Sequence, residues 1–422
     1  MKYLFVHQNF PGQFLHLVRH LAKSKRHELV FITEPNANAI DGVRKLPYRK
    51  PAPGNAATHA GAQELDAALR RGEVVAVAAA NLKRLGFTPD IIIGHHGWGE
   101  LLNLADIWPG VPMLGYFEFF YQTEGIDVGF DPEFPIMPAE FPRIRAKNAI
   151  NFLALDLSIR NRNIHGQTPT KWQLSTYPIW AQPQISLLPE GVDLEICKPR
   201  TPSRITARSP TGHRPFEIGE HVIAPSDKLV TYVARDLEPY RGFHLLMRAL
   251  PKLLAERRDV RVVIVGGDGV SYGAPPPHGT WRAAMLTELA GRIDTGRIIF
   301  PGRVDYGTYL GLLTRSDAHV YLTYPFVTSW SLREAMACGC AIIGSDTRPV
   351  REFVRHRING LLTSFFDPAA LAARMLELLE DVPLASRLRA GARRHAERHL
   401  ALDAYLTAYE ALILKLTGAT AG

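Results

Sequence analysis

Short, predominantly apolar runs alternate with amphipathic stretches along almost the whole chain. No other feature narrows the fold as far. YLFV (3–6), LVFI (29–32), DIIIG (90–94), PMLGYF (112–117), FLALDL (152–157) and ISLLP (185–189) have the composition of strands covered on both faces. GQFLHLVRHLAK and ELDAALRRGEVVAVAAANLKRL, lying between them, have the spacing of helices. A second series follows: KLVTYVA (228–234), VRVVIVGG (260–267), RIIFPG (297–302), AHVYLTY (318–324) and AIIGS (341–345). A strand with no polar face needs cover on both sides, which the intervening helices of a parallel sheet supply. The expectation is an α/β protein with two doubly wound parallel-sheet domains facing a central cleft.

Length supports two domains, since 422 residues exceed a usual single core. Residues 198–226, rich in Pro, Arg, Ser and Thr without a sustained period, read as a linker with a surface excursion. This divides the chain into 1–197, the linker 198–226, 227–385, and two closing helices in 386–422 expected to pack back toward the first domain. The formal charge of +8 favours acidic ligands such as nucleotides, phosphates or anionic lipid surfaces. Lysines and arginines are scattered and no zinc or RNA-recognition signature occurs, so no nucleic-acid partner is expected. Three cysteines, Cys197, Cys338 and Cys340, imply no disulfide framework and fit a reducing compartment. The opening MKYLFVHQNF is too short an apolar run for a signal peptide, and no uncharged run approaches the ~18 residues of a membrane span. A cytoplasmic chain is expected, at most peripheral at the inner face of a membrane. Arg387, Arg389, Arg393, Arg394 and Arg398 on the closing helices could meet anionic headgroups or simply form a solvated face.

Dinucleotide binding is disfavoured by the glycines. HQNFPGQF offers only Gly12 after the first strand, and in GGDGVSYG Tyr272 occupies the last glycine position before the rigid APPPHG. A different chemistry is suggested by four separated segments. In VARDLEPYRGFHLLMRAL, Arg235 ends a strand and Arg241 precedes the glycine that opens a helix, which suits a diphosphate. In TYPFVTSWSLREAMACGC, Ser329 to Ser331 stand at a helix start and Glu334, one turn in, can accept both hydroxyls of a ribose. HQNFPGQF supplies a polar turn, and GHHGWGE with GYFEFFYQTEG supplies His96 and Glu118 at strand ends. Taken singly, each has an ordinary structural explanation: a solvated loop, a glutamate favoured by the helix dipole, a packed histidine.

Together, and in this order, these segments resemble the retaining GT-B glycosyltransferases, the large group of nucleotide-sugar enzymes related to sucrose and mannosyl transferases. LPEGVDLEICKP (188–199), DLSIRNRNIHGQTPTKWQLSTYP, SLREAMACGCAIIGSDTRPVREFV and NGLLTSFFDPAALAARMLELLED carry the rest of the likeness. The resemblance implies a nucleotide-diphosphate sugar donor, UDP favoured over GDP, no other cofactor and no metal, and a saccharide, lipid-linked or other hydroxyl acceptor. It implies donor contacts from Gly12, Arg235, Arg241, Arg303, Phe326, Thr328, Ser329, Trp330, Ser331, Leu332 and Glu334, and catalytic roles for Arg235, Arg241, Glu118 and His96. Three departures stand out. Phe326 replaces the first glutamate of the paired-glutamate motif, Arg241 stands where lysine is usual, and Glu118 falls where the family has a histidine. A non-catalytic partner subunit, a sugar-nucleotide epimerase and a phosphorylase of the same architecture are the competing readings.

Overall fold

The computed structural model describes residues 1–161, 163–200 and 214–419. They form two compact units, Met1–Glu190 with Leu402–Gly422, and Gly191–Ala401. The first unit holds strands β1 (Lys2–Val6), β2 (Glu28–Thr33), β3 (Val43–Pro47), β4 (Ile91–His95), β5 (Met113–Tyr116), β6 (Ile164–Thr168) and β7 (Ile185–Leu187). All pair in parallel, in the order β3-β2-β1-β4-β5-β6-β7. Alternate residues of a strand face opposite sides. Tyr3 and Phe5 therefore join one core with Phe31 and the helix Leu15–Ser24, while Leu4 and Val6 join another with Val75 and Ala79 of the helix Gln63–Arg84. Two cores per strand explain why these runs lack polar positions.

The second unit begins with an antiparallel hairpin of β8 (Phe216–Ile218) and β9 (His221–Ile223), which lies inside the stretch expected to be irregular. Its main sheet contains β10 (Lys228–Asp236), β11 (Val260–Gly267), β12 (Ile298–Gly302), β13 (Ala318–Tyr321), β14 (Ile342–Ser345) and β15 (Leu361–Thr363), in the parallel order β12-β11-β10-β13-β14-β15. Both sheets reverse their winding beside the first strand, between β1 and β4 and between β10 and β13. In open α/β sheets ligands bind beyond the carboxyl ends of the strands at such a reversal.

Residues 152–157 are not a strand. FLALDL lies inside the helix Ala149–Arg160, which buries Ala154 and Leu155 while Phe152 and Leu153 stand exposed. A short apolar run does not distinguish buried strand from helix by periodicity, and here the wider spacing decides. The two closing helices part company. Val382–His399 buries Ala392 and Ala396 in the second unit, whereas Leu402–Thr417 packs Tyr405, Leu406, Tyr409 and Ile413 against the β1 core of the first. No helix among the described residues is long and apolar enough to cross a membrane.

Candidate functional site

At the β10/β13 reversal, two loops are tied together by one guanidinium. β10 ends at Asp236, and the chain turns through Leu237–Gly242 into the helix Phe243–Glu256. Gly242 has φ +70°, and a Cβ there would stand 2.5 Å from Leu322, so the two loops meet this closely only with glycine. Arg241, just before it, is 7% exposed. Its Nη1 donates to Thr323 Oγ1 at 2.7 Å and to the Val327 carbonyl at 2.9 Å, both on the loop after β13. Tyr232 donates to the Arg241 carbonyl and the Tyr324 amide to the Tyr240 carbonyl, at 2.8 and 3.0 Å. Arg235 differs. It is exposed on β10, and its guanidinium makes no hydrogen bond or ion pair to the described residues. Arg303, also exposed, donates to Asp236 Oδ1 at 2.8 Å. Burial works against ionisation of Asp236, but hydrogen bonds from Ser271 and Arg303 outweigh it and hold the carboxyl below its ordinary value.

The loop after β11 is fastened over this place by a carboxylate absent from the sequence expectation. Glu238, fully buried, accepts the backbone N–H groups of Ser271, Tyr272 and Gly273 at 3.3, 3.2 and 2.9 Å. Burial nevertheless pushes its carboxyl above the usual range. The clamp sets the Tyr272 ring 5.0 Å from the Arg241 guanidinium. Phe326 packs into the same aromatic group, 5.1 Å from Tyr272 and 5.4 Å from Tyr240 between ring centroids.

The helix Trp330–Ala337 starts beside these rings. Ser329 caps it by accepting the Ser331 amide at 3.1 Å, and the Ser329 amide itself donates to the Tyr321 hydroxyl at 2.8 Å. Thr328 Oγ1 is buried without a hydrogen-bond partner among the described residues. Trp330 is half-buried, while Leu332 faces the core and can offer a ligand only its backbone. Glu334, half-buried, accepts the Tyr306 hydroxyl on Oε1 and the Tyr309 hydroxyl on Oε2, each at 2.8 Å. A carboxylate has about four lone-pair sites, so two remain for a ligand after the tyrosines have fixed its plane. The same helix is secured behind by Arg393, which donates to the carbonyls of Ala337 and Cys197 at 2.9 and 2.8 Å; Arg389 similarly bonds the Ser316 and Asp317 carbonyls. These two arginines hold the fold.

The first unit has its own group at the β1/β4 reversal. The imidazole near Glu118 is His95, not His96: His95 Nε2 lies 3.6 Å from Glu118 Oε2. The His96 ring turns to the other side, 4.5 Å from the Phe117 ring and filling the space a Cβ on Gly115 would need, 1.9 Å from Nε2. Consecutive residues at a strand end point in opposite directions, and HH left that parity open. Burial drives the His96 pKa down to about 3. His7, which the motifs do not single out, follows β1 with its ring 5.8 Å from that of His95. Gly12 has φ +55° and backs onto this ring, since a Cβ there would be 2.8 Å from His7 Nδ1.

Residues 25–197 match the family described as Glycosyl transferase family 4 group, and residues 213–395 match Glycosyl transferases group 1. The chain thus carries a glycosyltransferase family 4 domain in its first half and a glycosyltransferase group 1 domain in its second. Over 222 residues, 51% of this chain and 47% of the relative, it is 25% identical to the D-inositol 3-phosphate glycosyltransferase of Thermobispora bispora. Over 169 residues, 39% of this chain and 38% of the relative, it is 33% identical to the phosphatidyl-myo-inositol mannosyltransferase of Mycolicibacterium smegmatis. These matches span less than half the length of either relative. Among solved structures, sucrose-phosphate synthase from Thermosynechococcus elongatus aligns over 100% of both chains with a TM-score of 0.69 and 16% identity. Anabaena HepE in complex with UDP-glucose aligns over 98% of this chain and 100% of its own, with a TM-score of 0.66 and 16% identity. The fold is GT-B, with a parallel-sheet α/β domain in each half.

Proposed function

We propose that this chain is a retaining glycosyltransferase that moves a sugar from a nucleotide-diphosphate sugar to an acceptor hydroxyl in glycan, polysaccharide or glycolipid synthesis. The observation that carries the reading is Arg241, a buried guanidinium joining both loops at the β10/β13 reversal. Positive charge there meets the negative charge that grows on the leaving diphosphate. Arg235 and Arg303 supply the solvent-facing charges, and with the helix start at Thr328 to Leu332 they do the work a divalent ion does in other sites. Glu334 accepts the two ribose hydroxyls. In the transfer, the bond from the anomeric carbon to the diphosphate breaks while the acceptor oxygen bonds that carbon on the same face. The acceptor proton passes to the departing diphosphate, so no separate base is required. A UDP donor is favoured because HepE, of the same fold, was solved with UDP-glucose. A cytoplasmic site of action fits the nucleotide donor.

Incubation with a panel of UDP- and GDP-sugars and mixed hydroxyl acceptors, read by product NMR, tests this. Transfer with retained anomeric configuration, undiminished by a chelator, is expected. Activity abolished by the chelator and restored by Mg²⁺ or Mn²⁺ would refute the metal-free mechanism. UDP binding without turnover on any acceptor would instead favour the non-catalytic partner subunit, the reading that Phe326 motivates.

A further inference from the structure

The polar group of the first unit has a definite charge character, and it speaks to the acceptor. His7 is 3% exposed, and its Nδ1 is occupied by the backbone of Asn9 at 2.9 Å. Its Nε2 is buried with no hydrogen-bond partner among the described residues. His95 Nδ1 accepts the Gly97 amide at 2.9 Å, which leaves the ring proton of the neutral form on Nε2, on the side of Glu118. At 3.6 Å that contact is too long for a hydrogen bond. Both imidazoles thus present a buried, unsatisfied nitrogen at one strand reversal, and such groups call for a polar ligand. Beside them Trp98 is 41% exposed, its ring 5.9 Å from that of His95.

Charge narrows the class of ligand. Arg71, whose charge is felt at His7, lies 3.5 Å from Glu34 and donates to the Trp98 carbonyl at 3.3 Å, so its charge is offset by that carboxylate although its Nε has no hydrogen-bond partner among the described residues. Burial holds the His7 pKa at about 3, so that ring is neutral at pH 7. Glu118 adds a carboxylate beside His95. A phosphate would meet the Glu118 carboxylate here, and the guanidinium of Arg71 already has its charge offset by Glu34, whereas guanidinium recognition of phosphate draws on uncompensated positive charge.

We propose that the first unit binds an uncharged, hydroxyl-rich acceptor, a neutral saccharide or polyol, at the β1/β4 reversal. His7 Nε2 and His95 Nε2 hydrogen-bond two of its hydroxyls, Glu118 accepts from a third group, and the Trp98 indole receives its apolar face. A hydroxyl both donates and accepts, so either tautomer of His7 serves. The inference rests on the transfer reading above but differs from the acceptors named for the two relatives, inositol phosphate and phosphatidylinositol.

Saturation-transfer NMR on the full chain with UDP present reads acceptor binding without needing turnover. The probes are matched pairs, glucose with glucose 6-phosphate and myo-inositol with myo-inositol 1-phosphate, together with neutral mono- and disaccharides. Signal from neutral members and loss of it in their phosphorylated partners is expected. Trp98→Ala should weaken acceptor binding about tenfold, the scale of one aromatic contact, while UDP affinity measured by calorimetry stays unchanged. Phosphorylated members binding as well as neutral ones, no signal from any neutral member, or an unaltered acceptor affinity in Trp98→Ala would each overturn the proposal. Failure of UDP itself to bind would count against the transferase reading instead.

Discussion

The reversals of the two sheets have the same strand geometry and opposite chemistry. Between β1 and β4 stand imidazoles and the Glu118 carboxylate, with the Arg71 guanidinium 3.5 Å from Glu34. Between β10 and β13 stand guanidinium groups ringed by tyrosine and phenylalanine, with Arg235 exposed and unpaired among the described residues. A shared topology therefore fixes where a ligand can bind and leaves its nature to the loop residues. On the proposed transfer, the negative diphosphate belongs to the second unit and a neutral hydroxyl compound to the first. Substitutions that exchange or remove these groups test the contrast directly.

The largest effect is expected from the arginines. Arg235→Ala and Arg241→Ala should each lower kcat at least ~10²-fold with saturating donor, since on the proposed mechanism both charges act where negative charge accumulates. Melting temperature should separate them. Arg241→Ala also deletes charge-assisted bonds to Thr323 and Val327, each on the order of 1.5–3 kcal/mol, whereas the Arg235 guanidinium bonds nothing among the described residues. Arg241→Lys, which retains a charge, should recover part of the stability. Unchanged turnover in either alanine variant would remove that arginine from the mechanism, and equal melting temperatures would deny Arg241 its place as a tie.

A smaller effect concerns the first unit alone. His7 and His96 have pKa values lowered by burial to about 3, against 6.5 for an ordinary histidine. The unfolded chain binds their protons first as pH falls. Their contribution to stability is thus complete above about pH 6.5 and lost on the way down to 3, at roughly 1.4 kcal/mol per pH unit for each ring. Glu100 acts in the opposite sense, since burial raises it from 4.5 to about 7 and its contribution disappears as pH rises through that value. His96→Leu should remove one proton's worth of slope below pH 6.5 in urea-unfolding experiments, because the ring packs on Phe117 with an unbonded Nε2. Parallel profiles for the variant and the parent chain would show that His96 does not titrate as a buried neutral ring.

Much of the fold is legible in the sequence because a two-faced core leaves a coarse mark. Runs such as YLFV and VRVVIVGG are almost wholly apolar, and a strand inside a covered parallel sheet explains that. β3 escapes the same test because VRKLP, at the sheet edge, is only partly buried and carries two cations. The helix at 149–160 escapes it from the opposite direction, being apolar all round in its middle. In the candidate site, motifs on one loop draw attention to Arg241 and Glu334, whose bonds to Thr323, Val327, Tyr306 and Tyr309 the sequence does not foretell. Glu238 and His7 cannot, since their importance lies in what they meet across the fold: the amides of a loop more than thirty residues away for Glu238, and a second histidine on β4 for His7. The choice between His95 and His96 turns on one residue of strand parity.

The smallest effect is expected at Phe326, and it tests whether the aromatic group of the second unit touches the sugar or only supports the loops. On the proposed role of Glu334, Glu334→Gln removes a charged acceptor for two ribose hydroxyls, a loss of ~1.5–3 kcal/mol, so UDP should bind about tenfold more weakly or worse. Phe326 lies against Tyr240 and Tyr272, and truncation to alanine would open a cavity at a cost of about 3–5 kcal/mol. Phe326→Leu keeps most of the apolar volume and is the cleaner probe. Calorimetry with UDP alone should barely register the leucine variant if, as the resemblance implies, the ring stands where the family's glutamate meets the transferred sugar rather than the nucleotide. Kinetics with complete donors should register it as altered turnover or a changed preference among sugars, an apolar wall favouring a less polar sugar edge. If Phe326→Leu weakens bare UDP as much as Glu334→Gln does, the ring belongs to the nucleotide's support. The paired-glutamate position would then have to be sought elsewhere on the loop after β13.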